Sequence, residues 1–184
     1  FMGLTLTSIS AFNGERVASN TDADFSGFFQ NPLGFFHTLD RNKRRDWSQQ
    51  LRLASSADQR LRWQVGGFWY MERTNLRSAS LLSTRIRSSV SSSLNTVENI
   101  AGFAQVEYDL TDRLKVSAEA RYGEDTIGTR TDTQNVTSKF DSFVPRVTVD
   151  YKVTEENLVY AVVAKGNKPG GTNAGLLQPR INLN

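Results

Sequence analysis

Apolar and polar residues alternate along most of the chain with a period of two. Between positions 100 and 110 the even-numbered residues are apolar, aromatic or small, and the odd-numbered residues include glutamine, glutamate and aspartate. The segment 114–122 repeats this pattern. An amphipathic helix would need an apolar stripe at spacings of three and four residues, and none occurs there. The alternation therefore predicts β-strands.

The polar stretch 111–113 is the best-defined predicted hairpin, because one register satisfies both faces. Pairing Tyr108 with Val116 brings apolar side chains together, and it places Asp109 opposite Lys115 as a favourable cross-strand charge pair.

A second predicted hairpin turns at 154–156. Pairing Val153 with Leu158 there would place Tyr151 opposite Tyr160 on the apolar face.

Short and long connections alternate along the chain. In an up-and-down sheet alternate connections lie at the same end. One end of this sheet should therefore carry the short turns and the other end the long loops. Transmembrane β-barrels have short periplasmic turns and long extracellular loops. We therefore predict an all-β fold: an antiparallel up-and-down meander of about seven strands, part of a transmembrane β-barrel. Short turns are predicted near 56–60, 111–113 and 154–156, and long loops near 18–45, 78–97 and 133–139, the latter on the extracellular side.

The two predicted faces differ in chemistry. One carries Leu, Val, Ala, Gly, Tyr and Trp, and the other carries charged residues in mid-strand. Tyr108, Tyr151 and Tyr160 are expected on the apolar face near short turns, as in an aromatic girdle. Because half-buried soluble sheets also alternate, a soluble all-β binding or adhesion module remains an alternative.

Composition narrows the function classes. The 184 residues contain no cysteine and one histidine, which excludes a disulfide scaffold and a cysteine nucleophile. A net charge of +3 is too small to indicate nucleic-acid binding. No phosphate loop, nucleophile elbow or metalloprotease helix is present. We expect no enzyme activity, no catalytic residue, no cofactor and no metal site.

Six segments form a set of motifs whose order and spacing over about 170 residues are specific. They are DWSQQLRLAS at 46–55, WQVGGFWY at 63–70, AGFAQVEYDLTDRL at 101–114, RY at 121–122, FVPR at 143–146 and YAVVAKGNKPGGTN at 160–173. This set resembles strands of TonB-dependent outer-membrane receptors.

This resemblance implies a receptor barrel wall in the outer membrane of a Gram-negative bacterium. The family implies a barrel of about 22 strands, a plug domain and a TonB box. We expect residues 1–184 to be one internal part of the barrel domain, with the plug and TonB box outside them. The implied partners are outer-membrane lipid, the rest of the barrel, the plug, and TonB acting through the plug. The implied ligand is small: a ferric siderophore is the leading candidate, with haem, cobalamin or an oligosaccharide as alternatives.

The 18–45 segment supplies the predicted ligand-binding residues. Its aromatic side chains could grip an apolar part of a ligand at the barrel mouth, or could simply pack the loop. The predicted residues are Phe28, Phe29, Phe35, Phe36 and His37.

Two charged groups complete the set of candidates. A basic run could attract anionic chelates or lipopolysaccharide phosphates, or be a solvated loop base. Charged residues on the polar face could line a substrate path or bond to one another. The basic run is Arg41, Lys43, Arg44 and Arg45, and the polar-face residues are Arg52, Arg62, Arg121, Arg146, Glu72, Glu107 and Glu119.

Overall fold

The computed structural model describes residues 3–22, 36–82, 86–168 and 170. These form one seven-stranded antiparallel sheet in sequence order, which confirms the predicted meander. No helix occurs in the described ranges, and so none that could span a membrane. The strands are β1 (Thr5–Asp22), β2 (Phe36–Ala54), β3 (Leu61–Leu82), β4 (Ile86–Asp109), β5 (Leu114–Thr131), β6 (Asn135–Lys152) and β7 (Leu158–Ala164).

The predicted register of the hairpin between β4 and β5 is confirmed. Tyr108 pairs with Val116 and Asp109 pairs with Lys115. Alternate residues along a strand, and residues paired directly across strands, lie on the same face. We call the face that carries Tyr108 and Val116 the outer face, and the face that carries Asp109 and Lys115 the inner face.

The predicted register of the last hairpin was wrong by one residue. Tyr151 pairs with Val159, and Tyr160 pairs with Asp150 on the inner face. Tyr160 therefore lies on the inner face, whereas Tyr108 and Tyr151 lie on the outer face as predicted. The physical reason is that β7 is apolar on both faces, so alternation could not specify which face points outward.

The segments predicted as long loops are largely strand. β1 extends to Asp22 and β2 begins at Phe36, so only 23–35 separates them. Only 83–85 separates β3 from β4, and only 132–134 separates β5 from β6. The backbone ladder continues where both faces carry polar residues. Apolar and polar residues no longer alternate there although the strands remain paired, so the sequence pattern resembles that of a loop. The sheet therefore projects beyond its apolar part as paired strands.

The apolar face is the exposed face. Ile100, Tyr122 and Phe143 on the outer face are 57%, 58% and 50% exposed. Among the described residues, Ala101 is the only buried hydrophobic residue. A soluble sheet would bury its apolar face against another layer, whereas a barrel wall presents that face to lipid.

The apolar part of the outer face has the height of a membrane core. On β3 it extends from Leu61 to Met71, and Arg73 follows on the same face. Ten residue steps cover about 33 Å along a strand, which becomes about 25 Å of height at the usual barrel tilt. We call this part the apolar band. We call the end of the sheet with connections 55–60, 110–113 and 153–157 the turn end, and the opposite end the loop end.

Candidate functional site on the inner face

The inner face carries the charged residues predicted for it. The strand registers place all seven there, across β2 to β6. They are Arg52, Arg62, Arg121, Arg146, Glu72, Glu107 and Glu119. Most of them take part in side-chain contacts that cross between neighbouring strands.

Arg62 is the centre of a cluster near the turn end. Its guanidinium donates to both carboxylate oxygens of Asp109, at 2.6 and 2.8 Å, and to Glu107 at 3.3 Å. It also donates to the backbone carbonyl of Gln59 at 2.9 Å. A bidentate guanidinium–carboxylate pair fixes both side chains in one geometry. The cluster therefore ties β3 to β4 next to the turns.

Asp109 and Lys115 face each other in register, as predicted. The close ion pair of Asp109 is nevertheless made with Arg62 and not with Lys115. The Lys115 ammonium instead lies 3.1 Å from the Asp150 carboxylate, directly across on β6. The planar guanidinium offers two parallel hydrogen bonds to a carboxylate, which a lysine cannot match. Each cation thus links a different pair of strands.

Further along the same face, polar side chains continue the pattern across strands. Gln105 donates to Glu107 at 2.7 Å and accepts a hydrogen bond from Gln64. Arg146 pairs with Glu119 between β6 and β5. The Gln64–Gln105 and Arg146–Glu119 contacts cross between neighbouring strands and so reinforce the backbone ladder, whereas the Gln105–Glu107 bond runs along β4.

A second cluster is centred on Glu72, near the loop end of the apolar band. Its carboxylate accepts hydrogen bonds from Tyr70 at 2.7 Å and Thr74 at 2.9 Å, and pairs with Arg44 at 2.7 Å. The Arg44 guanidinium also lies 3.9 Å from Asp46. One carboxylate thus satisfies donors from β2 and β3.

Between the two clusters the inner face is partly aromatic. The Arg121 guanidinium lies 5.3 Å from the ring centroid of Phe68, within cation–π range, and donates to Asn99 at 2.7 Å. Asn99 in turn donates to Asp125 at 2.6 Å. The Phe103 ring lies over Gly66, where a Cβ atom would come within 2.4 Å of it.

These contacts make the inner face a wall of charges that are mostly paired. No group of three or more His, Asp or Glu residues suitable for a metal ion occurs in the described part of the chain. The wall offers hydrogen-bond donors and acceptors to a polar body packed against it. The carboxylates of Glu72, Asp109, Glu119 and Asp150 are paired with arginine or lysine.

Sequence reasoning missed several members of these clusters. They are Arg44, Asp46, Tyr70, Asn99, Asp109 in its role as the Arg62 partner, and Asp125. Arg44 lay in the 18–45 segment interpreted as a loop, and Asp46 lay just before the predicted strand, so no face was assigned to either. Tyr70 was placed correctly on the polar face, but its role as a hydrogen-bond donor to Glu72 was not predicted. Asn99 lies one residue before the alternating run that begins at Ile100, and extending that run would have placed it on the inner face.

The structure describes only part of the predicted ligand-binding group. Phe28, Phe29 and Phe35 lie outside the described residues, and Phe36 is the first residue of β2. His37 lies opposite Asp22 at the loop end, with its Nδ1 atom 3.1 Å from the side-chain oxygen of Asn20. His37 has the parity of the outer face.

Comparison with known proteins agrees with this architecture. A family model described as TonB dependent receptor-like, beta-barrel, matches residues 3–181.

Among solved structures, the chain is similar to the ferric yersiniabactin uptake receptor FyuA from Yersinia pestis. The TM-score is 0.73 at 20% sequence identity, over 86% of this chain and 25% of that receptor. The chain thus spans about a quarter of that receptor's length, and at this identity the likeness is one of fold.

Proposed function

Because the chain belongs to the TonB-dependent receptor family as a segment of its β-barrel, we propose that it forms part of the wall of an outer-membrane receptor for energised ligand uptake. The exposure pattern carries this proposal: large apolar side chains cover the outer face, and Ala101 is the only buried hydrophobic residue among the described residues. In lipid such a face is favourable, whereas in water it would drive aggregation. The soluble binding module is therefore disfavoured.

In this proposal the segment does no covalent chemistry. Its outer face contacts the lipid of a Gram-negative outer membrane. Its paired inner face packs against the plug, which receives energy from TonB. Clusters around Arg62 and Glu72 keep the wall rigid while the plug moves, because each links neighbouring strands through side chains as well as backbone.

We propose a ferric siderophore as the ligand. The similar solved receptor takes up ferric yersiniabactin, and that likeness of fold is compatible with, but coarser than, a ligand assignment. Haem, cobalamin and oligosaccharides are the competing classes, since ligand choice depends on loops and plug residues.

Uptake by whole cells tests the proposal. The gene for the full-length receptor is deleted and restored, and uptake is measured for catecholate, hydroxamate and phenolate ferric siderophores labelled with radioactive iron, alongside haemin, cyanocobalamin and maltodextrins. We expect one ferric siderophore to depend on the receptor and on TonB. Dependence of only a non-siderophore ligand would refute the ligand class. Recovery of the receptor in the soluble fraction would refute the membrane role.

The aromatic residues at the loop end are the proposed capture site. Alanine substitution of Phe28, Phe29, Phe35 and Phe36 together should weaken binding of the transported ligand to the purified receptor. Phe12→Ala is the matched control, because Phe12 is an exposed phenylalanine on the outer face of the apolar band. Equal affinity in the two variants would place capture elsewhere. His37→Ala tests separately whether the histidine contributes.

A further inference from the structure

The basic run at 41–45 is divided between the two faces of the sheet. Arg44 lies on the inner face and pairs with Glu72. Arg41, Lys43 and Arg45 have the parity of Trp47, which lies on the outer face opposite Met71. A run that is continuous in sequence therefore contributes three cations to the outside of the barrel and one to its lining.

Neighbouring strands add three more cations to the same surface. Arg16 on β1 pairs in register with Lys43. Arg73 and Arg77 on β3 pair with Arg45 and Arg41. We call these six residues the outer basic patch: Arg16, Arg41, Lys43, Arg45, Arg73 and Arg77.

None of these six cations forms an ion pair with a described residue. Two arginines, Arg45 and Arg73, face each other directly across β2 and β3. Like charges placed opposite each other destabilise a sheet unless a counter-charge intervenes. Glu98, an acid with outer parity that pairs in register with Met71, accepts a hydrogen bond from the Trp69 indole at 2.9 Å. The patch therefore lacks a counter-charge among the described residues.

The height of the patch on the outer face is specific. It begins directly above Trp47, Trp69 and Met71, which close the apolar band on β2 and β3. Trp47 and Trp69 are in edge-to-face contact with ring centroids 5.2 Å apart. Tryptophan marks the boundary between hydrocarbon and head groups. Arg45 lies two residues beyond Trp47, or about 7 Å along the strand, so the first cations are at head-group level.

On β5 and β6 the outer face carries acids as well as cations. Glu124 and Asp141 lie opposite each other there, and Glu124 pairs with Lys139 at 2.8 Å. Arg130 on β5 lies in register with Asn75 and Lys43, and the six cations of the patch lie together on β1 to β3. A groove of about 630 Å³ there is lined by Arg16, Arg41, Lys43 and Arg77, together with Asn75.

We propose that the outer basic patch binds the phosphate groups of an outer-leaflet lipid, namely the phosphorylated glycolipid of the Gram-negative surface. Arginine and lysine on adjacent strands can share one phosphate, with arginine donating two parallel hydrogen bonds. The acyl chains of the lipid lie against the apolar band directly beneath. The patch faces away from the lumen, so it does not steer ligand into the barrel. This inference rests on the proposed membrane location.

Lipid retention by the purified full-length receptor tests the inference. The probes are bisphosphorylated lipid A and lipid A from which both phosphates have been removed, with bound lipid counted by native mass spectrometry. The test variant is Lys43→Gln with Arg77→Gln. The control is Arg60→Gln with Arg113→Gln, which also removes two cations but removes them from the turn end, on the far side of the apolar band.

We expect wild type and control to prefer bisphosphorylated lipid A, and the test variant to bind it about tenfold more weakly. Equal binding by test and control variants would overturn the inference. So would equal binding of the two lipid A forms, or displacement by inorganic phosphate at matched phosphate concentration, which would indicate a free-phosphate site. Ligand uptake is measured on the same variants. If the test variant inserts, transports ligand and still retains bisphosphorylated lipid A as wild type does, this inference is refuted and the proposed function is not.

Discussion

At position 66 there is no room for a side chain. A Cβ atom on Gly66 would lie 2.5 Å from the Leu51 carbonyl oxygen and 2.4 Å from the Phe103 ring. The ring can rotate, but the carbonyl belongs to the neighbouring strand and cannot move without breaking the ladder. Glycine here lets an aromatic ring lie flat on the inner face.

Gly66→Ala should therefore destabilise the folded receptor by about 1–3 kcal/mol, the usual cost of overpacking. The measurement is the temperature at which the full-length receptor loses its compact mobility on SDS gels. Gly102→Ala is the control, because its Cβ would meet nothing within 4 Å. An unchanged unfolding temperature in Gly66→Ala would contradict this prediction, because it would mean that β2 and the Phe103 ring shift to admit a methyl group at no measurable cost.

Arg62 gives a second prediction at this scale. Arg62→Met keeps the aliphatic stem but leaves the carboxylates of Glu107 and Asp109 without their shared cation. We expect a clear fall in the same unfolding temperature, which partly recovers at low pH as the carboxylates become protonated. Arg60→Met removes a pair with Asp112, whose side chain is 95% exposed, and should change little. A similar response of the two variants would mean that the Arg62 cluster adds no rigidity.

Individual side-chain partners were the least predictable feature from sequence. Alternation placed Arg62, Asp109 and Lys115 on one face, and that was correct. It could not choose between Arg62 and Lys115 as the partner of Asp109, because both lie on adjacent strands. Asp109 pairs with Arg62 because the guanidinium can donate two parallel hydrogen bonds to it, and Lys115 pairs instead with Asp150, which lies opposite it on β6.

At the scale of elements, β5 separates the two faces most cleanly. Labels at positions 118, 120 and 122 should be reached by a lipid-soluble quencher, and labels at 117, 119 and 121 by a water-soluble one. The reason is that Tyr122 belongs to the apolar band, while Glu119 and Arg121 belong to the inner network. This segment has no cysteine, so each single-cysteine label site in it is unique. The reverse quenching pattern would show that the faces are inverted.

Elements were predictable wherever the two faces differ chemically. The hairpin at 110–113 has apolar residues on one side and charges on the other, and its register was correct. β7 carries Val159 and Val163 on one side and Leu158 and Val162 on the other. Such a strand is compatible with either register, which is why Tyr160 was assigned to the wrong face. The same rule explains the strand extensions beyond the apolar band, where both faces are polar.

At the scale of the whole molecule, the order of strands fixes which connections share an end. Connections 55–60, 110–113 and 153–157 lie together, and 23–35, 83–85 and 132–134 lie at the other end. Membrane orientation does not follow from the sheet alone. It follows from the proposal that the turn end is periplasmic.

Protease treatment of intact cells that carry the full-length receptor tests this orientation. Trypsin should cut near 83–85, at Arg85 or Arg87, and should spare Arg60 and Arg113 until the outer membrane is opened. The physical reason is that the two sets of sites lie on opposite sides of the apolar band. Gel mobility and mass spectrometry of the fragments provide the measurement. Cleavage at Arg113 on sealed cells, with 83–87 intact, would reverse the orientation and the position of the proposed capture site.

The paired strands beyond the apolar band have a consequence for evolution. Within the band, inserting one residue would move every following side chain to the opposite face, so changes in length there are tolerated only in pairs. Beyond the band both faces meet water, and the strands end in connections such as 23–35 that can absorb an offset. Insertions and deletions of any length are therefore expected to accumulate in the extensions and to be rare below Trp47 and Met71. During evolution the strand extensions at the loop end can change in length and composition, while each residue of the lipid-facing wall stays on the same face of the sheet.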